Sequence, residues 1–269
     1  MKIKKSSFEC MRGGYTVRGK QYMPQGVPGR LPAAIVSHGF MMNHQSVEGY
    51  AKQLAEWGFV SFCFDFCGGC LNGRSDGKTT EMSVLTEKED LLAVISYVGT
   101  LPHADTSSLL LMGCSQGGFV SALAAAGLQE RVGGLILFYP ALSIPDDARA
   151  GHMILAKFDP QNVPETVKCG PMKLGRVYPE SVMGMDAFAE ISPYAGPVLI
   201  VHGTADSLVN VSYSKRAYAA YTEAHPQTPP EKRLVLIDGG GHGFSGAHDR
   251  EARAAAERFL CDTSLMPVL

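Results

Sequence analysis

The sequence contains two copies of the pattern Gly-x-Ser-x-Gly, which is typical of a serine that acts as a nucleophile. One copy centres on Ser75 and the other on Ser115. The second copy follows the apolar run LLLMG and precedes QGGFVSALAAAG. It therefore predicts a sharp turn from a strand to a helix, which would expose the hydroxyl. Loop-forming residues flank the first copy on both sides. We predict that Ser115 is the nucleophile and that Ser75 is a loop residue.

A serine hydroxyl needs a neighbouring base, itself held by a carboxylate, before it can attack a substrate. His242 lies in the loop DGGGHGFSG after the apolar run RLVLID, and Asp206 follows the run VLIVHG. The order serine, acid, histidine along the chain resembles that of the α/β-hydrolases, whose nucleophile also lies on a turn from a strand to a helix. The alternatives are His248, at the predicted start of the last helix, and Asp238, beside the histidine loop. We predict a triad of Ser115, Asp206 and His242.

Acyl transfer also needs hydrogen-bond donors directed at the oxygen on which negative charge develops. The backbone N–H of Gln116, directly after Ser115 and at a helix N-terminus, is one predicted donor. The backbone N–H of Phe40, in the loop SHGF after the run AAIVS, is the other. The alternative for this loop is a tight turn without a catalytic role.

The remaining histidines fall into two groups. His38 and His202 each end a predicted strand, which suits a role either in supporting the catalytic residues or in shaping the loops of the site. Four others carry no positional signal and are predicted to lie on the surface, namely His44, His103, His152 and His225.

Short apolar runs alternate with amphipathic segments along most of the chain. Strands are predicted at 33–37, 59–66, 109–113, 132–140, 198–203 and 233–238, and helices at 47–58, 82–101, 116–127, 211–224 and 248–261. This alternation predicts an α/β fold with a mostly parallel central sheet and helices on both faces. Residues 2–23 predict an antiparallel hairpin that turns at Gly13 and Gly14. Residues 141–196 have no clear period and predict an inserted cap, so that 1–140 and 197–269 form the core.

Composition narrows the classes of partner. The chain has 269 residues, 45% of them hydrophobic, and a formal net charge of −2, so no basic surface for nucleic acid is indicated. No run approaches about 18 apolar residues, and no apolar stretch follows the basic start MKIKK, so neither a membrane span nor a signal peptide is predicted. The seven cysteines are expected as reduced thiols of a cytoplasmic protein. A homodimer is compatible with the sequence.

The cysteines Cys63, Cys67 and Cys70 include a CxxC pair. A zinc site would need further ligands at matching spacing, and the sequence offers none. The glycines between residues 68 and 73 imitate a phosphate-binding loop, but its essential lysine is replaced by Arg74. We therefore expect neither a metal nor an organic cofactor.

Six motifs occur in a characteristic order, namely SHGF, FDFCGGCLNGRSDG, MSVLTEKEDL, GCSQGG, HGTAD and GGGHGF. Together they resemble the bacterial cinnamoyl (feruloyl) esterases of the α/β-hydrolase superfamily, over roughly residues 30–262. The resemblance implies an α/β-hydrolase fold and cofactor-free hydrolysis of hydroxycinnamic esters. It also implies the same three catalytic residues and the same two oxyanion donors.

Several positions depart from the pattern of these esterases. Cys114 stands where they often have histidine, and the loop at 67–73 is longer than usual. The resemblance implies that polar cap residues bind a phenolic hydroxyl. Asp147 matches one such position, whereas apolar Ile154 stands where the second polar residue is expected. Ester hydrolysis is therefore the expectation, while the preferred acyl group is left open.

Three interpretations follow from these patterns. The first is an intracellular carboxylic-ester hydrolase that acts on small-molecule esters by two-step acyl transfer. The second is a peptidase that resembles the acylaminoacyl peptidases, which share this core but usually carry an additional propeller domain. The third is a non-catalytic ligand-binding protein on the same fold, although no residue of the triad is missing.

Overall fold

The computed structural model describes residues 1–226 and 231–268. The strands are, in chain order, β1 (Ile3–Arg12), β2 (Tyr15–Pro24), β3 (Leu31–Ser37), β4 (Val60–Asp65), β5 (Ala104–Cys114), β6 (Val132–Phe138), β7 (His152–Met153), β8 (Ala156–Lys157), β9 (Thr166–Cys169), β10 (Met172–Gly175), β11 (Val198–Gly203) and β12 (Lys232–Ile237). The helices are α1 (Glu48–Glu56), α2 (Val84–Gly99), α3 (Gln116–Leu128), α4 (Ile144–Arg149), α5 (Val177–Met183), α6 (Ala187–Ile191), α7 (Ser212–Ala224) and α8 (Gly246–Asp262).

Eight of these strands form one sheet, in the order β1-β2-β4-β3-β5-β6-β11-β12. The six strands from β4 to β12 in this order are parallel, while β1 and β2 pair antiparallel. Strands β4 and β11 are buried along their whole length, as expected for parallel strands covered on both faces. The structure confirms the predicted α/β fold with its N-terminal antiparallel hairpin.

Helices cover both faces of the sheet. On one face α1 and α8 pack through small and aromatic residues such as Ala51 and Phe259. On the other face α2, α3 and α7 contribute residues such as Leu91 and Phe119 to the larger apolar cluster. Both layers are needed because the apolar strands would otherwise expose one face to water.

The chain between β6 and β11 contains three short helices and two small hairpins. Strands β7 and β8 form one hairpin, and β9 and β10 form the other. Leu174 and Tyr178 of this segment are buried in the same apolar cluster as residues of α2 and α3. The segment is therefore folded and packed against the rest of the chain.

In the part of the chain that the structure describes, no helix is both long enough and apolar enough to cross a membrane.

Candidate active site

Ser115 lies in a strained turn between β5 and α3. Its backbone has φ 53° and ψ −121°, a region that residues with a side chain rarely adopt. The turn is held on both sides. The Ser115 N–H donates to the carbonyl of Phe138 at 2.9 Å, and the Ser115 carbonyl accepts from the N–H of Gly118 at 2.9 Å. This tight turn lifts the hydroxyl out of the sheet edge, as the Gly-x-Ser-x-Gly pattern predicts.

The glycines around Ser115 are required by close backbone contacts. A Cβ on Gly117 would lie 2.3 Å from the carbonyl oxygen of His38, and one on Gly113 would lie 2.2 Å from the carbonyl oxygen of Gly117. A Cβ on Gly39 would lie 3.1 Å from the Cβ of Ser115. The loop after β3 and the turn before α3 can therefore touch only because these positions lack side chains.

The structure brings the three residues of the predicted triad together. The Nε2 atom of His242 lies 2.9 Å from the hydroxyl oxygen of Ser115, and its Nδ1 atom lies 2.7 Å from Oδ2 of Asp206. The ring of Tyr139 packs against the imidazole with 4.8 Å between ring centroids. In this geometry Nδ1–H donates to the carboxylate and Nε2 accepts from the serine.

The side chain of Asp206 is fully buried and fully hydrogen-bonded. Its Oδ1 atom accepts from the N–H groups of Leu208 and Val209, each at 2.9 Å. Its Oδ2 atom lies 3.0 Å from Nε2 of His202 as well as close to His242. Burial raises the pKa of the carboxyl, but the hydrogen bonds from His202, His242 and Val209 outweigh it and hold the pKa well below its usual range. The carboxylate therefore stays ionised at neutral pH.

His202 supports the acid from beneath. It is completely buried, with Nδ1 2.6 Å from the hydroxyl of Ser214 and Nε2 3.0 Å from the carbonyl of Val209. Two acceptors at Nε2 place its proton there, so Nδ1 accepts from the serine. The sequence predicted that His202 either supports a catalytic residue or shapes a loop, and it did not identify Asp206 as the residue that His202 contacts. The signal was its position four residues before the acid in the same strand-to-loop turn.

The residues of the two predicted oxyanion donors, Phe40 and Gln116, line the same cleft as Ser115. Gln116 opens α3, where the first N–H groups of a helix have no partner within the helix. The N–H of Phe40 donates to no acceptor among the described residues. Its loop is held by buried His38, whose Nδ1 lies 2.8 Å from the carbonyl of Gly39 and whose Nε2 accepts from Phe66 N–H at 3.1 Å. Burial lowers the pKa of His38 to about 4, so the ring is neutral.

A cleft of about 170 Å³ opens over Ser115 and His242. Its apolar lining consists of Ala141, Ile144, Met153, Ile154, Leu208 and Val209, together with the ring of Phe40. Asp147 also faces the cleft and accepts a hydrogen bond from the Ser143 hydroxyl at 2.8 Å, while burial raises its pKa. Ile154 is 54% exposed and has a φ of 55°, which is unusual for a β-branched residue.

The second Gly-x-Ser-x-Gly copy has a structural role. The hydroxyl of Ser75 accepts from the N–H of Arg18 at 2.8 Å and donates to the carbonyl of Asp65. The carboxylate of Asp65 in turn pairs with Nδ1 of His44 at 2.6 Å. His44 is buried, so the prediction that it lies on the surface was wrong. The reason is that its partner Asp65 ends a fully buried strand and needs a donor there.

The sequence pattern of the family described as serine aminopeptidase, S33 matches residues 32–174, which is more than half of the chain. The chain is also 27% identical to the protein YfhR of Escherichia coli O157:H7 over 233 residues, covering 86% of this chain and 70% of that protein.

Among solved structures, Est1E from Butyrivibrio proteoclasticus with ferulic acid bound is similar with a TM-score of 0.83 and 27% identity, over 96% of this chain and 99% of that one. An esterase from Pyrococcus furiosus shares the fold, with a TM-score of 0.70 and 16% identity over 97% and 91% of the two chains. The chain belongs to the serine aminopeptidase S33 family and has the α/β-hydrolase fold, which it shares with esterases.

Proposed function

We propose that this protein is a serine hydrolase that cleaves carboxylic esters through an acyl-enzyme intermediate. The observation that carries the proposal is the continuous line of hydrogen bonds from the Ser115 hydroxyl through His242 to Asp206, at 2.9 and 2.7 Å. This geometry matches what an activated serine nucleophile requires.

The reaction would begin with attack of Ser115 Oγ on the ester carbonyl carbon, as Nε2 of His242 takes the hydroxyl proton. Asp206 remains ionised and stabilises the imidazolium that forms. His242 then gives the proton to the departing alkoxide, which leaves an acyl group on Ser115. A water molecule, deprotonated by His242, attacks the acyl carbon, and His242 then returns the proton to Ser115 Oγ as the bond to the acid breaks. Every proton is carried by these side chains, so the proposed reaction requires no cofactor.

The negative charge that develops on the carbonyl oxygen in the tetrahedral intermediate needs hydrogen-bond donors directed at that oxygen. We assign this role to the backbone N–H groups of Phe40 and Gln116, two residues that line the same cleft as Ser115. Both are fixed by the fold before substrate arrives, since Phe40 follows the loop held by His38 and Gln116 begins a buried helix. Donors that are already oriented lower the barrier more than donors that must reorganise.

The cleft indicates a small-molecule ester with an apolar group. Most of its lining is apolar, and its size suits a small acyl or aryl group better than a polypeptide segment. We propose that residues 141–196 form an inserted cap, because this segment supplies Ile144, Asp147, Met153 and Ile154 to the wall of the cleft. Similarity to Est1E, which binds ferulic acid, supports an aryl ester as one candidate.

A phenolic substrate would need polar partners in the cap. Asp147 is available, since it faces the cleft and its carboxyl oxygens can accept a hydrogen bond from a phenolic hydroxyl. Ile154 offers only apolar contact at the outer end of the cleft. We therefore propose that hydroxycinnamoyl esters are accepted and that an apolar acyl group is accepted as well.

A peptidase is the second candidate, favoured by the description of the family as serine aminopeptidases. The same triad can cleave amides, but an aminopeptidase must also bind the positively charged amino terminus of its substrate. Asp147 is the one carboxylate among the described residues that line the cleft, and it is already engaged by the Ser143 hydroxyl at 2.8 Å and by Nδ1 of His152 at 3.7 Å. The cleft wall therefore offers no free carboxylate for an amino terminus among the described residues.

Steady-state kinetics would test these candidates. The values of kcat/KM for methyl ferulate, p-nitrophenyl butyrate and alanine p-nitroanilide are compared, with Ser115→Ala as the blank. Ester turnover that disappears in Ser115→Ala, together with fluorophosphonate labelling of the wild-type protein alone, is the expected result. Faster turnover of the anilide would favour the peptidase, and equal turnover in Ser115→Ala would refute the assignment of the nucleophile.

A further inference from the structure

The side chain of Gln116 is held between two buried groups that the proposed mechanism does not use. Its amide nitrogen Nε2 donates to Oε2 of Glu87 at 2.7 Å, and its amide oxygen Oε1 accepts from the hydroxyl of Tyr178. Gln116 and Glu87 are each 1% exposed. Both ends of the amide are therefore satisfied inside the protein, and this side chain is not free to bind a substrate.

Tyr178 contacts both of the residues assigned to the oxyanion site. Its hydroxyl donates to the side chain of Gln116, and its ring packs edge-to-face against the ring of Phe40 with 5.8 Å between centroids. Tyr178 is itself 1% exposed and belongs to α5, within residues 141–196. One residue of the proposed cap thus touches both residues whose N–H groups must converge on a single substrate oxygen.

Glu87 binds the nitrogen end of the Gln116 amide, while Tyr178 binds its oxygen end. It lies on α2, in the part of the chain before the nucleophile. Burial raises its pKa well above the usual value, which favours the uncharged carboxyl. A buried carboxyl in this position costs free energy, and the hydrogen bond to Gln116 is the contact that offsets part of it.

We propose that Tyr178 and Glu87 are positioning residues that act through the Gln116 side chain to hold the oxyanion donors in place. The inference rests on the proposed function and extends it, because it makes the proposed cap part of the catalytic geometry. The geometry of the oxyanion site then depends on how α5, which carries Tyr178, packs against the start of α3, which carries Gln116. Removing the Tyr178 hydroxyl loosens Gln116 on one side while leaving the ring against Phe40.

A double-mutant cycle tests this inference. The variants are Tyr178→Phe, Gln116→Ala and the double variant, each assayed for kcat and KM on p-nitrophenyl butyrate. Gln116→Ala keeps its backbone N–H and loses only the side chain. Because loss of a whole oxyanion donor costs about 10²–10³ in rate, loosening one is expected to lower kcat about tenfold with little change in KM. In the Gln116→Ala background, Tyr178→Phe is expected to cause no further loss.

Two additional measurements separate positioning from packing. A trifluoromethyl ketone forms a tetrahedral adduct whose oxygen occupies the oxyanion site, so its inhibition constant is expected to rise in Tyr178→Phe by the same factor as kcat falls. Glu87→Leu is expected to lower kcat, and Glu87→Gln is expected to restore most of it because an amide oxygen accepts the same hydrogen bond. Tyr221→Phe is the matched control, since the Tyr221 hydroxyl is buried without a partner among the described residues.

The outcomes distinguish this inference from the proposed function. Suppose that the wild-type protein is active. The positioning role alone is then refuted if Tyr178→Phe leaves kcat unchanged, or if Tyr178→Phe lowers kcat equally with and without the Gln116 side chain. A rise in KM at unchanged kcat also refutes it, because the hydroxyl would then bind substrate. A wild-type protein without Ser115-dependent ester turnover refutes the proposed function, and this inference with it.

Discussion

Replacing Asp206 with asparagine is expected to remove most activity because it reverses the tautomer of His242. The two carboxylate oxygens have different partners. Oδ1 accepts from the N–H groups of Leu208 and Val209, while Oδ2 faces Nδ1 of His242 and Nε2 of His202. An asparagine carries one acceptor and one donor, so the orientation of its amide decides the outcome.

The amide oxygen must stay toward the two backbone N–H groups, because the opposite orientation would set donor against donor. The amide nitrogen then faces Nδ1 of His242 and donates to it. His242 must therefore carry its proton on Nε2, which points at the hydroxyl of Ser115. In that state the imidazole donates to the serine and cannot take its proton.

The expected loss in kcat is about 10⁴, the effect of this change in a serine triad. At 1.36 kcal/mol for each factor of ten, this corresponds to about 5 kcal/mol of transition-state stabilisation. The same amide nitrogen also meets the N–H of His202, so we expect a decrease in the free energy of unfolding of about 1–3 kcal/mol. Activity therefore falls far more than stability.

The assay is kcat/KM on p-nitrophenyl butyrate near neutral pH, with Ser115→Ala as the blank and urea unfolding as the measure of stability. Asp238→Asn is the matched control, because Asp238 also follows a strand end and bonds the exposed hydroxyl of Thr204 at 3.1 Å. Its activity is expected to stay at the wild-type level. Retention of more than about a tenth of the wild-type rate by Asp206→Asn would refute the reasoning.

Three further predictions concern stability and specificity. Since the pKa of His38 is about 4 in the folded protein and 6.5 as a reference, the unfolded chain binds the proton first as pH falls. The contribution of His38 to the free energy of unfolding should then fall by about 3 kcal/mol from pH 7 to pH 4. When urea unfolding is measured at each pH, the free energy of unfolding should fall less over this range in His38→Asn than in the wild-type protein; an equal fall contradicts the argument. Gly117→Ala should destabilise by about 3 kcal/mol, because its Cβ meets backbone, whereas Gly127→Ala, in an open helix position, should stabilise by up to about 1 kcal/mol. Thermal melts of the two variants that shift in the same direction would disprove this contrast. Ile154→Gln should raise the preference for methyl ferulate over p-nitrophenyl butyrate about tenfold by adding a polar partner, and an unchanged ratio would show that Ile154 does not contact the acyl group.

Local patterns in the sequence were sufficient to predict most of the strands and helices of the fold. The apolar runs predicted every strand of the parallel sheet, and the paired glycines at Gly13 and Gly14 predicted the N-terminal hairpin. These features could be read because the period of apolar residues reflects which face of an element is buried. Strand β5 is longer than predicted, since its first residues, Ala104–Ser108, are mostly polar and carry no apolar run.

The three residues of the proposed triad could also be predicted from the chain alone. Ser115, Asp206 and His242 each follow an apolar strand, and the carboxyl ends of parallel strands meet at one edge of the sheet. Chain order and strand ends therefore limited the choice before any distance was known. The distances of 2.9 and 2.7 Å between them depend on the turns after the strands.

Contacts between residues far apart in the chain were decided only by the tertiary structure. Glu87, Gln116 and Tyr178 come from three separate helices, and no spacing in the sequence relates them. The burial of His44 against Asp65 is of the same kind. Sequence periodicity shows which face of an element points inward, because burial repeats with the geometry of the helix or strand. It does not show which inward-facing polar groups meet, because that depends on how whole elements pack against one another.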